Sequence, residues 1–148
     1  MVLGSVRLEN ITEETFAPFG TLIDWTPTLE KSGKPFHILV RSEVPTGWRL
    51  AVLKVAPRAV ERLENHPHSE ELFAPLEGRA VLVVAEAGER EEDDDVHAFF
   101  LDRPVSVGPG VWHDVFSLSE FATILIAENL EVGAEYSDLS RPVGAIFQ

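Results

Sequence analysis

The chain has 148 residues, 45% of them hydrophobic, and no cysteine, so a disulfide framework and a thiolate zinc site are both excluded. Its 12 basic residues against 25 acidic ones give a formal charge of −13, which argues against a nucleic-acid partner or an anionic membrane surface. No apolar run reaches the roughly 18 residues of a membrane span, and the first residues lack the regions of a signal peptide, so the expectation is one soluble, cytoplasmic domain over residues 1–148.

In chain order, Ser5–Glu9 alternates polar and apolar residues as a short strand would. Thr12 reads as the N-cap of a helix whose first turn takes Glu13 and Glu14, and which Pro18 and Gly20 close within about two turns. Thr21–Trp25 is strand-like. The Pro, Gly, Ser and Lys content of Thr26–Lys34 predicts a loop long enough to act as a flap. From there the pattern is β throughout. Phe36–Arg41, Trp48–Val55, Leu72–Pro75, Ala80–Ala85, His97–Leu101, Val105–Val107, Asp114–Phe116 and Ala122–Glu128 are short runs rich in Val, Ile, Leu and Phe, punctuated by Gly, Pro and Asp. Ala80–Ala85 and Ala122–Ala127 are apolar without a break, as strands covered on both faces are. The acidic run Gly88–Asp95 predicts an exposed hairpin loop. The tail Ser137–Gln148, with apolar Val143, Ile146 and Phe147, predicts a segment lying along a sheet edge or a partner subunit.

One stretch carries more chemistry than a fold requires: Glu64-Asn65-His66-Pro67-His68-Ser69-Glu70-Glu71. If it is a strand, positions 64, 66 and 68 share a face, because side chains repeat with period two. Imidazoles and carboxylates packed this closely suit a divalent metal such as Zn, Ni, Mn or Fe, or an acid–base centre.

Short strands around this stretch, followed by Gly110-Val111-Trp112-His113, resemble the cupin family. The first motif of that family reads G-x5-H-x-H-x(3,4)-E-x6-G. Glu71-x6-Gly78 fits its end, the second His of the pattern then falls on His66 and the first on Glu64, while His68 is out of register. Of the second motif, G-x5-P-x-G-x2-H-x3-N, the chain keeps Gly110-x2-His113, with Gly108 where Pro is usual and Ser117 where Asn is usual. Within the cupins the chain is similar to the ureidoglycolate lyases. Thr12–Ile23, Leu63–Pro67, Leu72–Gly78 with Val81–Ala85, and Gly110–His113 resemble segments of that family in the same order. That family usually has Gln where Glu71 stands, a second His at Asp114, and Tyr-His-Arg in place of Val107–Gly110.

The resemblance implies an all-β fold, a single cupin-type double-stranded β-helix or jelly-roll barrel with a short N-terminal helix. It also implies a homodimer that acts on a small carboxylate, cleaving ureidoglycolate to glyoxylate and urea in purine (allantoin) catabolism. Glu64, His66, Glu71 and His113 are the expected ligands of a divalent metal of unknown identity. Two neutral and two anionic groups would neutralise the ion, which makes a buried site tolerable. Glu71, or Glu64 if it is not a ligand, is the expected base and His68 the expected proton donor. Trp112, His37 and Lys54 are expected to wall the pocket, with Arg49 a second basic residue on the strand of Lys54 that could hold an anion. His97 reads as solvated beside the acidic run, and Arg79 as a surface residue. The same centre could instead serve isomerisation, oxygenation or the sensing of a small ligand without lyase activity.

Overall fold

The computed structural model describes residues 2–4, 6–43, 46–90 and 95–144. Along these residues run β1 (Val2–Leu3), β2 (Val6–Asn10), α1 (Glu13–Phe16), β3 (Gly20–Leu22), α2 (Pro27–Glu30), β4 (Trp48–Val55), β5 (Ala59–Asn65), β6 (Glu71–Glu77), β7 (Ala80–Ala85), β8 (His97–Leu101), β9 (Val105–Val107), β10 (Trp112–Ser117), β11 (Ala122–Asn129) and β12 (Glu135–Gly144). They form a seven-stranded sheet in the order β1-β2-β8-β7-β10-β5-β12 and a five-stranded sheet in the order β3-β9-β6-β11-β4. Neighbours pair antiparallel except β2 and β8, which run parallel with Leu8 opposite Ala98. The fold is therefore the all-β rolled double sheet that the sequence suggests, with two short helices instead of one.

The unbroken apolar run of β7 explains the layering. Ala80, Leu82 and Val84 point between the sheets, into a core shared with Phe73, Val105, Ile124 and Ile126 of the five-stranded sheet. Val81, Val83 and Ala85 point the other way, into a second cluster with Leu63, Trp112, Phe116 and Val143. All six residues of β7 are buried, each larger side chain contributing roughly 1.5–3 kcal/mol of transfer free energy. The turn into β7 needs a glycine. Gly78 has φ +77°, and a Cβ there would lie 2.2 Å from the Phe121 carbonyl oxygen.

Among the described residues the five-stranded sheet packs its core on the inner side and is only partly covered on the outer one. Phe73, Val105, Val107 and Ile126 face the core, so their neighbours Leu72, Ser106 and Ala127 face outward. On its edge strand β4 the outward Trp48, Leu50 and Val52 are 71%, 58% and 66% exposed.

Three parts of the chain differ from expectation, while the tail takes the sheet edge expected of it. Phe36–Arg41 has the alternation of a strand but finds no ladder partner among the described residues, and runs as an irregular arm with Phe36 and Ile38 exposed. The expected flap Thr26–Lys34 contains α2, because Thr26 caps it and Pro27 takes its first position. β5 and β12 carry too many charged residues to read as strands, yet at seven and ten residues long they pair with each other at six positions, with a register shift between Asp138 and Val143. Val143 and Gly144 of the tail pair with Val60 and Ala59 of the same chain. Residues 145–148, with Ile146 and Phe147, and residues 91–94 of the acidic run lie outside the described residues. At the N-terminal helix the expectation was apt: Thr12 Oγ1 accepts from the Thr15 N–H and Thr15 Oγ1 from the Thr12 N–H.

Candidate metal centre

Strand register brings the candidate groups together. On the seven-stranded sheet His113 lies directly opposite Glu64, so their side chains leave the same face of β10 and β5. On the facing sheet Glu71 lies opposite Glu128. His66 follows the end of β5, where its carbonyl accepts the N–H of Gly110, a glycine with φ +78°. The four elements end at the same rim of the barrel, above the apolar core to which Phe73 and Val84 belong.

The rings are oriented by their backs. His66 Nδ1 lies 2.9 Å from the Gly133 carbonyl oxygen and His113 Nδ1 lies 3.0 Å from that of Val111. A carbonyl only accepts, so each ring carries a hydrogen on Nδ1 and turns Nε2 to the cluster, the arrangement of metal-ligating histidines. The Phe73 ring meets His113 edge-on at 5.6 Å and fixes it further. From His66 Nε2 the distances are 3.9 Å to Glu64, 3.7 Å to Glu71 and 3.8 Å to Glu128. From His113 Nε2 they are 2.7 Å to Glu71 Oε2 and 4.0 Å to Glu64. Ligand atoms of Glu64, His66 and His113, and again of His66, Glu71 and Glu128, lie within 4.8 Å of one another.

Three of these atoms, Glu71 Oε2, His113 Nε2 and Glu128 Oε2, are buried without a hydrogen-bond partner. Buried polar atoms of this kind are costly unless something neutralises them. With neutral rings, lone pairs face lone pairs, and a proton or a cation must lie between. The donor set, two imidazoles and carboxylates, fits a divalent ion of the Zn, Ni, Mn or Fe type.

The electrostatics agree. Burial alone would lower the His66 pKa, but the neighbouring Glu71 carboxylate, the bond to the Gly133 carbonyl and the charge of Glu64 outweigh it and push it up to about 9. Burial also opposes a charge on His113, yet Glu71 holds its pKa above the usual imidazole value. Burial would raise Glu71, and the two histidines overcome it to hold the carboxyl well below the usual range. Glu128 goes the other way: burial and its contact with Glu71 raise it, with Arg49 opposing.

Several expected site residues lie elsewhere. His68 does not share the face of His66, because the strand ends at Asn65 and Pro67-His68 form a turn that leaves His68 exposed. Trp112 alternates with His113 on β10 and so points to the outer cluster, where its indole N–H donates to the Gly88 carbonyl. It packs; it does not wall the site. Lys54 faces outward on β4 over the Phe121 ring. Arg49, of opposite parity on the same strand, faces inward and binds Glu128 Oε1 through Nε at 3.0 Å and Nη2 at 2.6 Å. His37, on the irregular arm, takes a bond from or to Ser32 and lines an open pocket of about 560 Å3 with Trp48, Leu72, Ser106 and Ala127. That pocket lies on the outward face of the five-stranded sheet; Glu128 borders it as well. Glu70, also on that face, is raised by burial, and the bond from Ser106 Oγ opposes the rise. His97 pairs with Glu9 of β2, and Arg79 is exposed over the Phe100 ring. Sequence reasoning missed Glu128 and its tie to Arg49. The period-two alternation Ala122, Ile124, Ile126, continued one step past the apolar run, points to it.

A sequence model described as ureidoglycolate lyase matches residues 4–139. The ureidoglycolate lyase of Burkholderia cepacia is 36% identical over 124 residues, covering 73% of this chain and 70% of its own. Ureidoglycolate lyase 1 of Rhizobium meliloti is 28% identical over 137 residues, covering 80% and 81%. Among solved structures, RmlC of Streptococcus suis in complex with dTDP-D-xylose is 16% identical, covers 84% of this chain and 57% of its own, and gives a TM-score of 0.48.

Proposed function

The chain belongs to the ureidoglycolate lyase family, and from that premise we propose that it cleaves ureidoglycolate to glyoxylate and urea. The observation that carries the reading is the apposition of His113 Nε2 and Glu71 Oε2, buried and without a hydrogen-bond partner, beside His66 and Glu64. Glu64, His66, Glu71 and His113 would hold a divalent metal, which when bound supplies Lewis acidity toward the oxygens of the substrate. Glu71, held ionised, suits a ligand better than a proton carrier. Glu128 suits the proton work: its Oε2 is buried, unpartnered, and 3.8 Å from His66. It takes the proton of the substrate hydroxyl as the C–N bond breaks. The bonding pair leaves with the urea nitrogen, and Glu128 returns the proton there, so the count closes on one group. Phe73 and the apolar core behind it keep bulk water from the rear of the site. The test is direct: load the protein in turn with Zn, Ni, Mn and Fe(II) and measure glyoxylate release. Turnover with none of them refutes the lyase reading.

The same reading includes a homodimer acting on a small metabolite of purine breakdown in the cytoplasm. No helix among the described residues is long and apolar enough to cross a membrane. Support for self-association comes from the outward face of the five-stranded sheet. Trp48, Leu50 and Val52 on β4, with Phe36 and Ile38 on the arm, are each more than half exposed, and together present on the order of 700 Å2 of apolar surface, close to what one partner contributes to a standard interface. None of these side chains is acidic in a chain of charge −13, so this is where a second copy approaches without like-charge repulsion.

A further inference from the structure

Resting on that reading, we propose that Arg49 is the specificity-determining residue that takes the carboxylate of the substrate, exchanging Glu128 for it. An anionic substrate entering a site with Glu64, Glu71 and Glu128 needs a cation beyond the metal. A divalent ion balances two of these carboxylates, and Arg49, ion-paired to Glu128, balances the third. The other basic or titratable groups on this part of the chain serve the opposite side. Lys54 faces outward over Phe121, and His37 and Arg41 line the pocket on the outward face.

The geometry of the pair shows why it is exchangeable. Nε and Nη2 of Arg49 both converge on a single oxygen, Glu128 Oε1. Glu128 Oε2 is turned away to within 3.8 Å of His66 Nε2. This is not the side-on fork in which two parallel N–H groups meet two carboxylate oxygens, the geometry a guanidinium is built to make. A ligand carboxylate free to orient itself makes that fork; Glu128, fixed on β11, does not. Access differs as well. The Arg49 side chain is 45% exposed against 7% for Glu128, so the guanidinium lies at the rim, where a ligand meets it before the buried groups. The route is open because β4 is an edge strand, and its inward Ala51 and Leu53 are exposed beside Arg49.

The experiment compares glycolate with its uncharged isostere glycolamide by isothermal titration calorimetry on the manganese-loaded protein. The wild type is expected to prefer glycolate, and Arg49→Met to lose about 10- to 100-fold of that preference, the worth of a charge-assisted fork. Arg49→Lys, which keeps the charge without the fork, retains an intermediate preference. Glu128→Gln, which weakens the rival, leaves glycolate bound as tightly as in the wild type or tighter. A preference unchanged in both Arg49 variants, or its absence in the wild type, overturns the assignment. Because binding is read without turnover, a lyase assay that fails with every metal sinks the proposed reaction and leaves this result standing on its own.

Discussion

His113 Nε2 stands 2.7 Å from Glu71 Oε2 while His113 Nδ1 is committed to the carbonyl of Val111. In the metal-free protein the two groups favour each other's charged form: Glu71 raises the pKa of His113 and is itself lowered by it, against burial, which opposes a charge on both. A metal ligand must be an unprotonated imidazole. Loading the site at neutral pH therefore expels protons from His66, whose pKa is about 9, and from His113. Metal affinity should climb with pH from about 6.5 to about 9. Calorimetry in two buffers of different ionisation enthalpy counts the protons; a count of zero at pH 7 contradicts the assignment of these rings as ligands.

The same shifts set the stability of the metal-free protein. His66 is raised from 6.5 to about 9, so its contribution is complete below 6.5 and is lost as pH rises through about 9. Glu71 is lowered from 4.5, so its contribution is present above 4.5 and lost as pH falls. Stability should peak between those two values. Toward alkaline pH the loss from His66 is on the order of 3 kcal/mol, which lowers the melting temperature by roughly 5–10 °C. Thermal melts from pH 5 to 9.5, with and without metal, test this; bound metal should flatten the alkaline limb.

His113→Gln should cut metal affinity by at least about 100-fold and abolish glyoxylate release, since it removes a buried ligand and strands Glu71. His68→Ala should leave both within about twofold, because its side chain lies exposed on a turn. Elemental analysis after dialysis, beside the activity assay, decides. A His68 variant that loses its metal would restore the role expected of it from sequence alone.

Trp112→Phe should cost about 1–3 kcal/mol of stability, from the lost bond to the Gly88 carbonyl and the space left in the outer cluster. KM for ureidoglycolate should not change. Urea unfolding measures the first and steady-state kinetics the second. A raised KM with unaltered stability would mean the indole reaches substrate after all.

Leu50→Glu places two buried charges in the proposed self-association face and should raise the dimer dissociation constant by about 100-fold or more. Sedimentation equilibrium reads it. A wild type that is monomeric at tens of micromolar rules the interface out.

How much of this was legible beforehand differs by level. The apolar strands were readable from composition, and Ala80–Ala85 is buried on both faces as its run suggests. In Ala122–Ala127, by contrast, only Ala122, Ile124 and Ile126 are buried, and Thr123, Leu125 and Ala127 lie on the partly exposed outer face. The candidate ligands Glu64, His66, Glu71 and His113 are legible in the register of the sequence motifs, and the fold brings all four to one cluster. What failed was parity. Trp112 sits next to His113 and Lys54 five positions from Arg49, and in a strand an odd step reverses the face. Proximity in the string therefore suggested Trp112 and Lys54 as pocket walls, where the fold uses Phe73 and Arg49. Glu128 was hidden at the end of a strand whose composition announces only core, and its role exists only through cross-strand registry with Arg49 and Glu71.

The parallel contact between β2 and β8 sets an order of events. Residues 6–10 are synthesised long before residues 97–101, and bringing them together closes a loop spanning most of the barrel. During that interval Leu8 has no neighbour on that side. The entropy of that closure makes the β2–β8 pairing a costly contact to form early, so the expected order lays the opening segment on last, like a hoop drawn over staves already standing.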